Sequence, residues 1–120
     1  MSSHYEYGRR KELQVGEFLE CRGFGCARAQ GSRGPVDLIA EKGRLRLAIQ
    51  VKATRADTTS YTRLGVGDET RLKRSEAARR AEPALALVSR NYLWLVSVRD
   101  GSPITEGELK PLRRDYPELS

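Results

Sequence analysis

The apolar positions of this chain change period several times, and the changes mark its elements. Over 5–22, Leu13, Val15, Phe18, Leu19 and Cys21 recur at helical intervals and Gly23 stands where helices commonly end, which predicts a first helix. A strand is predicted over 24–29, followed by Q-G-S-R-G-P at 30–35, a loop of turn-forming residues. Two apolar runs, 36–41 and 45–53, flank Lys42-Gly43-Arg44 and read as a hairpin, which completes a three-stranded meander. Residues 54–68 alternate weakly and are rich in Thr, Ser, Gly, Arg and Asp, the composition of a long loop or an irregular edge. The stretch 70–82 reads as a helix with an alanine-rich side, stopped by Pro83. Strands are predicted over 84–89 and 92–98 around the turn Arg90-Asn91, with a short helix in the tail, 105–116, broken at Pro111. No internal repeat is present. This order predicts one α/β domain spanning 1–120, a mixed central sheet of about five strands flanked by helices.

Composition narrows the partners. The chain has 120 residues, 38% hydrophobic and 32% charged, enough for one core under a wet surface. A net charge of +6 and a pI near 9.7 favour polyanions, and arginine, whose planar fork suits phosphate oxygens, dominates the basic set. The cysteines, Cys21 and Cys26, form no disulfide framework and read as core thiols. No apolar stretch has the length of a membrane span, and the first residues lack the apolar core of a signal peptide, so a cytoplasmic protein with no membrane partner is expected. His4 has no neighbour at metal-ligand spacing and receives no role.

Candidate chemistry concentrates on the hairpin. Side chains alternate faces along a strand, so Gln50 and Lys52 share one face of 45–53 while Leu47, Ile49 and Val51 share the other, and Asp37 opens the preceding strand. An acid, an amide oxygen and an ammonium on adjacent strands can hold a divalent cation and a water against a phosphate. Glu12 lies at helical spacing from Val15 and Leu19, on or beside the buried stripe. Its carboxylate either pairs with a basic neighbour such as Arg9 or reaches the hairpin site. The bland reading of the hairpin is a cross-strand salt bridge between Asp37 and Lys52, with Gln50 a half-buried neighbour.

Pro35-x-Asp37 followed by Gln50-Val51-Lys52 resembles the PD-(D/E)xK nuclease superfamily, with glutamine in the second acidic position. The likeness extends over most of the first eighty or so residues. G-R-R-K-E-L at 8–13, R-G-F at 22–24, Arg28 and G-S-R-G-P-V-D-L at 31–38 are similar to the archaeal Holliday-junction resolvases. The resemblance implies a restriction-endonuclease-like fold and an active region of Glu12, Arg28, Ser32, Asp37, Gln50 and Lys52. It also implies a homodimer whose paired sites cut a four-way DNA junction symmetrically. That family usually has glutamate where this chain has Gln50, but some restriction endonucleases of the superfamily, including those acting on methylated DNA, also carry Q-x-K.

On this reading Mg²⁺, or Mn²⁺, would sit on Asp37, the Gln50 side-chain oxygen and the Val51 carbonyl, with Glu12 gripping it directly or through a water, and no small-molecule cofactor is needed. Lys52 would orient the attacking water, and Arg28 and Ser32 would hold phosphates. Further DNA contacts are expected from Arg9, Arg10, Arg33, Arg55, Arg63, Arg71, Lys73 and Arg74, many of them on or near the basic 70–82 helix. Tyr92, Leu93, Trp94, Leu95 and Val96 read as core or dimer contact and not as a base-stacking platform. The expected function is a junction-resolving endonuclease; the alternatives are a restriction- or repair-type nuclease acting on duplex DNA and a non-catalytic DNA-binding protein on the same scaffold.

Overall fold

A computed structural model describes residues 4–29, 36–55 and 80–117. In order these form α1 (His4–Glu20), β1 (Gly25–Arg28), β2 (Leu38–Lys42), β3 (Leu45–Ala53), β4 (Glu82–Val88), β5 (Tyr92–Ser97) and β6 (Pro103–Glu108). The strands make one six-stranded sheet in the order β1-β2-β3-β4-β5-β6. β3 and β4 run parallel; the other neighbouring pairs are antiparallel. The mixed α/β class is as expected, with six strands in place of about five and, among the described residues, one helix against the sheet.

Local chemistry sets the boundaries. α1 ends where Phe24 N–H returns to Leu19 O at 3.0 Å, with Gly23 at φ 90°, a left-handed conformation that glycine adopts without steric cost. The β2–β3 hairpin turns on Gly43-Arg44, with Gly43 at φ 60° and Arg44 at negative φ, as a two-residue turn opening on glycine requires.

Alternation along the strands divides the core in two. Leu47 and Ile49 join Val15, Phe18 and Leu19 of α1 and Leu93 and Leu95 of β5 on one face of the sheet, with Val51 packed against them. Ala48 lies on the other face with Leu85, Leu87, Val96 and Val98. Each large aliphatic side chain in these clusters contributes about 1.5–3 kcal/mol by leaving water.

Several expectations are corrected. The helix over 70–82 falls mostly outside the described residues, but Glu82 opens β4 and Pro83 lies within that strand, opposite Ala48. The run E-P-A-L-A-L-V is buried on both faces almost throughout, the signature of an interior parallel strand, and a proline near a strand's start is tolerated there. The tail helix over 105–116 is absent: Thr105–Glu108 belongs to β6, and the chain after it is irregular. Gly107 shows why. A Cβ at that position would stand 2.9 Å from Arg22 Nη2 and 3.0 Å from Phe18 Cε2, so glycine lets β6 close against α1. Cys21 is exposed and not a core thiol, whereas Cys26 is half-buried. Tyr92 is exposed, its hydroxyl donating to Glu106 Oε2 at 2.9 Å, while Leu93, Leu95 and Val96 are buried as expected. No described helix is long and apolar enough to cross a membrane.

Candidate metal and phosphate site

The site lies where two strands part. The β2–β3 ladder stops at Leu38 and Ile49, but β3 goes on to Ala53 beside β4. Asp37 spans the fork: its N–H donates to Ile49 O at 2.8 Å, and its Oδ2 accepts the Val51 N–H at 2.8 Å. A carboxylate thus takes a bond that a neighbouring strand would otherwise make, which fixes its rotamer and keeps the fork open. Continuing the register by one step sets Asp37 opposite Gln50.

α1 delivers the second acid. Glu12 meets Asp37 and also lies 3.6 Å from Arg9 Nη1, so α1 brings the acid to the hairpin while a basic neighbour pairs with it. Burial raises the Glu12 pKa above the ordinary glutamate value, and the neighbouring Asp37 charge raises it further, against the pull of Arg9 and Arg28. Asp37 is raised too, by burial, but the Val51 N–H, the Glu12 hydrogen bond, Lys52 and Arg28 all oppose the rise. The two carboxyls titrate as a coupled pair, each raised first by burial, so negative charge gathered here is costly unless a positive group meets it.

Gln50 is half-buried, and its Oε1 is a buried acceptor with no hydrogen-bond partner. An orphan acceptor of this kind costs about 1–3 kcal/mol unless something satisfies it. Lys52 is exposed and acts on Asp37 through its charge; no Asp37–Lys52 ion pair forms among the described residues, so the cross-strand salt bridge is not what organises the hairpin. Nor do the described residues contain a group of three or more His, Cys, Asp or Glu side chains able to hold a metal. The donors at the fork are two carboxyls and an amide oxygen. All are hard oxygen ligands and one is unsatisfied, a set that fits Mg²⁺ or Mn²⁺.

A cleft of about 180 Å³ lies beside Glu12, walled by Arg9, Cys26 and Arg28 and by Arg114 and Tyr116 of the tail. Burial first, and then the Glu20 charge, pushes the Cys26 thiol up to about 11, so it stays protonated at neutral pH. Arg55 stands beyond the end of β3, its guanidinium 4.1 Å from the Tyr7 ring centre, while the Tyr7 hydroxyl donates to Thr54 O at 2.6 Å. Arg10 is on another flank of α1 and does not line this cleft. Ser32, Arg33, Arg63, Arg71, Lys73 and Arg74 lie outside the described residues.

Sequence reasoning missed three contributors. Lys11 is 4% exposed and donates to Arg90 O at 2.6 Å; its spacing of four and eight residues from Val15 and Leu19 was the available signal. Arg114 and Tyr116 reach the cleft because Glu17, 5% exposed, accepts the N–H groups of Arg113 and Arg114 at 2.7 and 3.2 Å and the Tyr116 hydroxyl at 3.3 Å. Arg114 also pairs with Glu20. No local pattern announces that strap.

A mixed sheet with a carboxylate at a strand fork, faced by an acid from the covering helix, is the architecture of a nuclease-like α/β domain. Among solved structures, the chain is similar to Hjc of Archaeoglobus fulgidus, a Holliday junction resolvase from an archaeal hyperthermophile. The two share 28% sequence identity over 78% of this chain and 74% of that one, with a TM-score of 0.62. The likeness supports the resolvase and nuclease superfamily as the relationship of this fold. No protein-family model matches the chain, and no curated protein matches it.

Proposed function

We propose that the chain is a metal-dependent, structure-selective DNA endonuclease that resolves four-way junctions by phosphodiester hydrolysis, acting as a homodimer. The observation that carries this reading is the fork: Asp37, held by the Val51 N–H and coupled to Glu12 of α1, stands opposite Gln50 in the strand register, and the Gln50 Oε1 is unsatisfied. Likeness to an archaeal resolvase supports the substrate class, and the excess of basic over acidic residues supports a polyanion.

Asp37 and Gln50 would hold the ion with the Val51 carbonyl, and Glu12 would join them as a carboxylate, directly or through a water. Mg²⁺ or Mn²⁺ bound there would lower the pKa of a water and offset charge developing on the phosphate. Lys52 orients the attacking water and counters negative charge on the scissile group. Arg28 and Arg9 steer the phosphate into the cleft while restraining Glu12. Ser32 is assigned to the phosphate rim.

The test is cleavage of a four-way junction with Mg²⁺, run beside linear duplex and with Asp37→Asn as the comparison. Junction-selective cutting lost in Asp37→Asn supports the proposal. Faster cutting of the linear duplex makes the enzyme a restriction- or repair-type nuclease, and junction binding with no cutting by the parent leaves a DNA-binding scaffold.

A further inference from the structure

A second recess opens on another flank of α1. It holds about 530 Å³ between Arg10 and Gln14 of the helix, Arg90 and Asn91 at the β4–β5 turn, and the strap residues Arg114 and Tyr116. At about 100° per residue, Arg10 and Gln14 stand about 100–160° around the helix from Arg9, Glu12 and Gly16. The strap lies between the two clefts and serves both, since Arg114 and Tyr116 wall each of them.

Positive charge gathers in this corner. Arg10, Arg90 and Arg114 line the recess with one lining carboxylate, Asp115, and Arg114 is also paired with Glu20. Arg10 makes no ion pair among the described residues. Lys11 lies behind them with its ammonium committed to the Arg90 carbonyl, and burial together with the charges of Arg10 and Arg90 holds its pKa below the ordinary lysine value. Like charges this close repel, and an anion in the recess relieves them. The surroundings indicate which anion. Arg90 Nη2 donates to Arg55 O at 3.3 Å, and Arg55 is stacked on Tyr7, so the arginines of the recess are braced against the end of the strand that carries Gln50 and Lys52. A planar guanidinium grips phosphate oxygens two at a time, and a continuous polyanion crossing the strap would meet both clefts in succession.

We propose that this recess is a second phosphate-binding site, taking the backbone of a nucleic-acid strand next to the one held at the Glu12–Asp37 fork. Its ligand class rests on the nuclease reading; its geometry does not.

The test measures binding of a four-way junction built from short oligonucleotides, in EDTA, over a series of salt concentrations. Arg90→Gln is compared with Arg46→Gln, an equal change of charge at the far end of the β2–β3 hairpin, where Arg46 pairs with Glu41 at 3.0 Å. Arg90→Gln should weaken binding roughly fivefold and lower the slope of log affinity against log salt by about one, while Arg46→Gln changes neither. Asn91→Asp, which adds an acid to the recess and leaves Arg90 in place, should weaken binding at least as much and keeps the test open if Arg90→Gln folds poorly. Equal losses in Arg90→Gln and Arg46→Gln, or parental slopes in Arg90→Gln and Asn91→Asp, overturn the site. Cleavage separates the two readings. A parent that binds junctions in an Arg90-dependent way but cuts nothing keeps the recess and loses the nuclease. A parent that cuts while Arg90→Gln and Asn91→Asp bind normally does the reverse.

Discussion

Glu12 and Glu17 lie on the same helix, both largely withdrawn from water, in opposite circumstances. Glu17 is surrounded by donors: two backbone N–H groups, a tyrosine hydroxyl and the Arg113 guanidinium at 3.8 Å. Glu12 faces another carboxyl, Asp37, with only Arg9 at 3.6 Å and the charge of Arg28 on its side among the described residues. The first arrangement is complete in the protein alone and holds the tail down. The second sets two acids side by side, an arrangement that a proton or a positive ligand stabilises.

The largest expected effect attacks the incomplete acid pair. Asp37→Asn keeps an acceptor for the Val51 N–H but removes a charge the cation needs. Cleavage should fall by on the order of 10²–10³-fold in a single-turnover assay, the equivalent of several kcal/mol of transition-state stabilisation. Unchanged cleavage would remove Asp37 from the chemistry.

Next in size is the complete acid. Glu17→Ala strips the strap of its acceptors and should cost about 2–3 kcal/mol, read as a lower midpoint in urea, whereas Glu12→Gln should leave the metal-free midpoint unchanged or raise it. If the two substitutions destabilise equally, the contrast between the acids is wrong.

A smaller effect follows from protonation. Glu12 binds its proton more tightly in the folded state than the ordinary value of 4.5 allows. The stability this provides is fully present below that value and is lost as pH rises through the raised folded pKa. Metal-free protein should therefore lose stability as pH rises above the ordinary glutamate value of 4.5, Glu12→Gln should flatten that dependence, and Mg²⁺ should stabilise the fold more as pH rises. Replacing Gln50 with Glu adds a charge at the fork and should lower the Mg²⁺ concentration needed for half-maximal cleavage. A higher requirement would contradict a ligand role for position 50. The smallest expected change is Tyr7→Phe, which loses the hydrogen bond to Thr54 O and should cost about 1 kcal/mol of stability.

Much of this contrast was legible in the sequence, and the reason is range. α1, the hairpin and the two faces of β3 follow from periodicity within a dozen residues, and Asp37, Gln50 and Lys52 could be grouped because one turn joins their strands. The Glu17 strap and the Lys11–Arg90 contact join residues 96 and 79 positions apart, for which no local pattern exists. β6 was missed for a different reason: Pro103–Glu108 alternates only feebly, and the significance of Gly107 appears once Phe18 and Arg22 are packed over it. Pro83 misled because a helix breaker and the second residue of an interior strand look alike without the partner strand.

The two thiols offer a practical asymmetry. Cys21 is open to solvent just past the last turn of α1, while Cys26 is half-buried and remains a thiol until about pH 11. A maleimide dye at neutral pH should therefore attach at Cys21, roughly 12 Å or more along the helix axis from Glu12, and report the approach of a partner to this end of the molecule without occupying the fork.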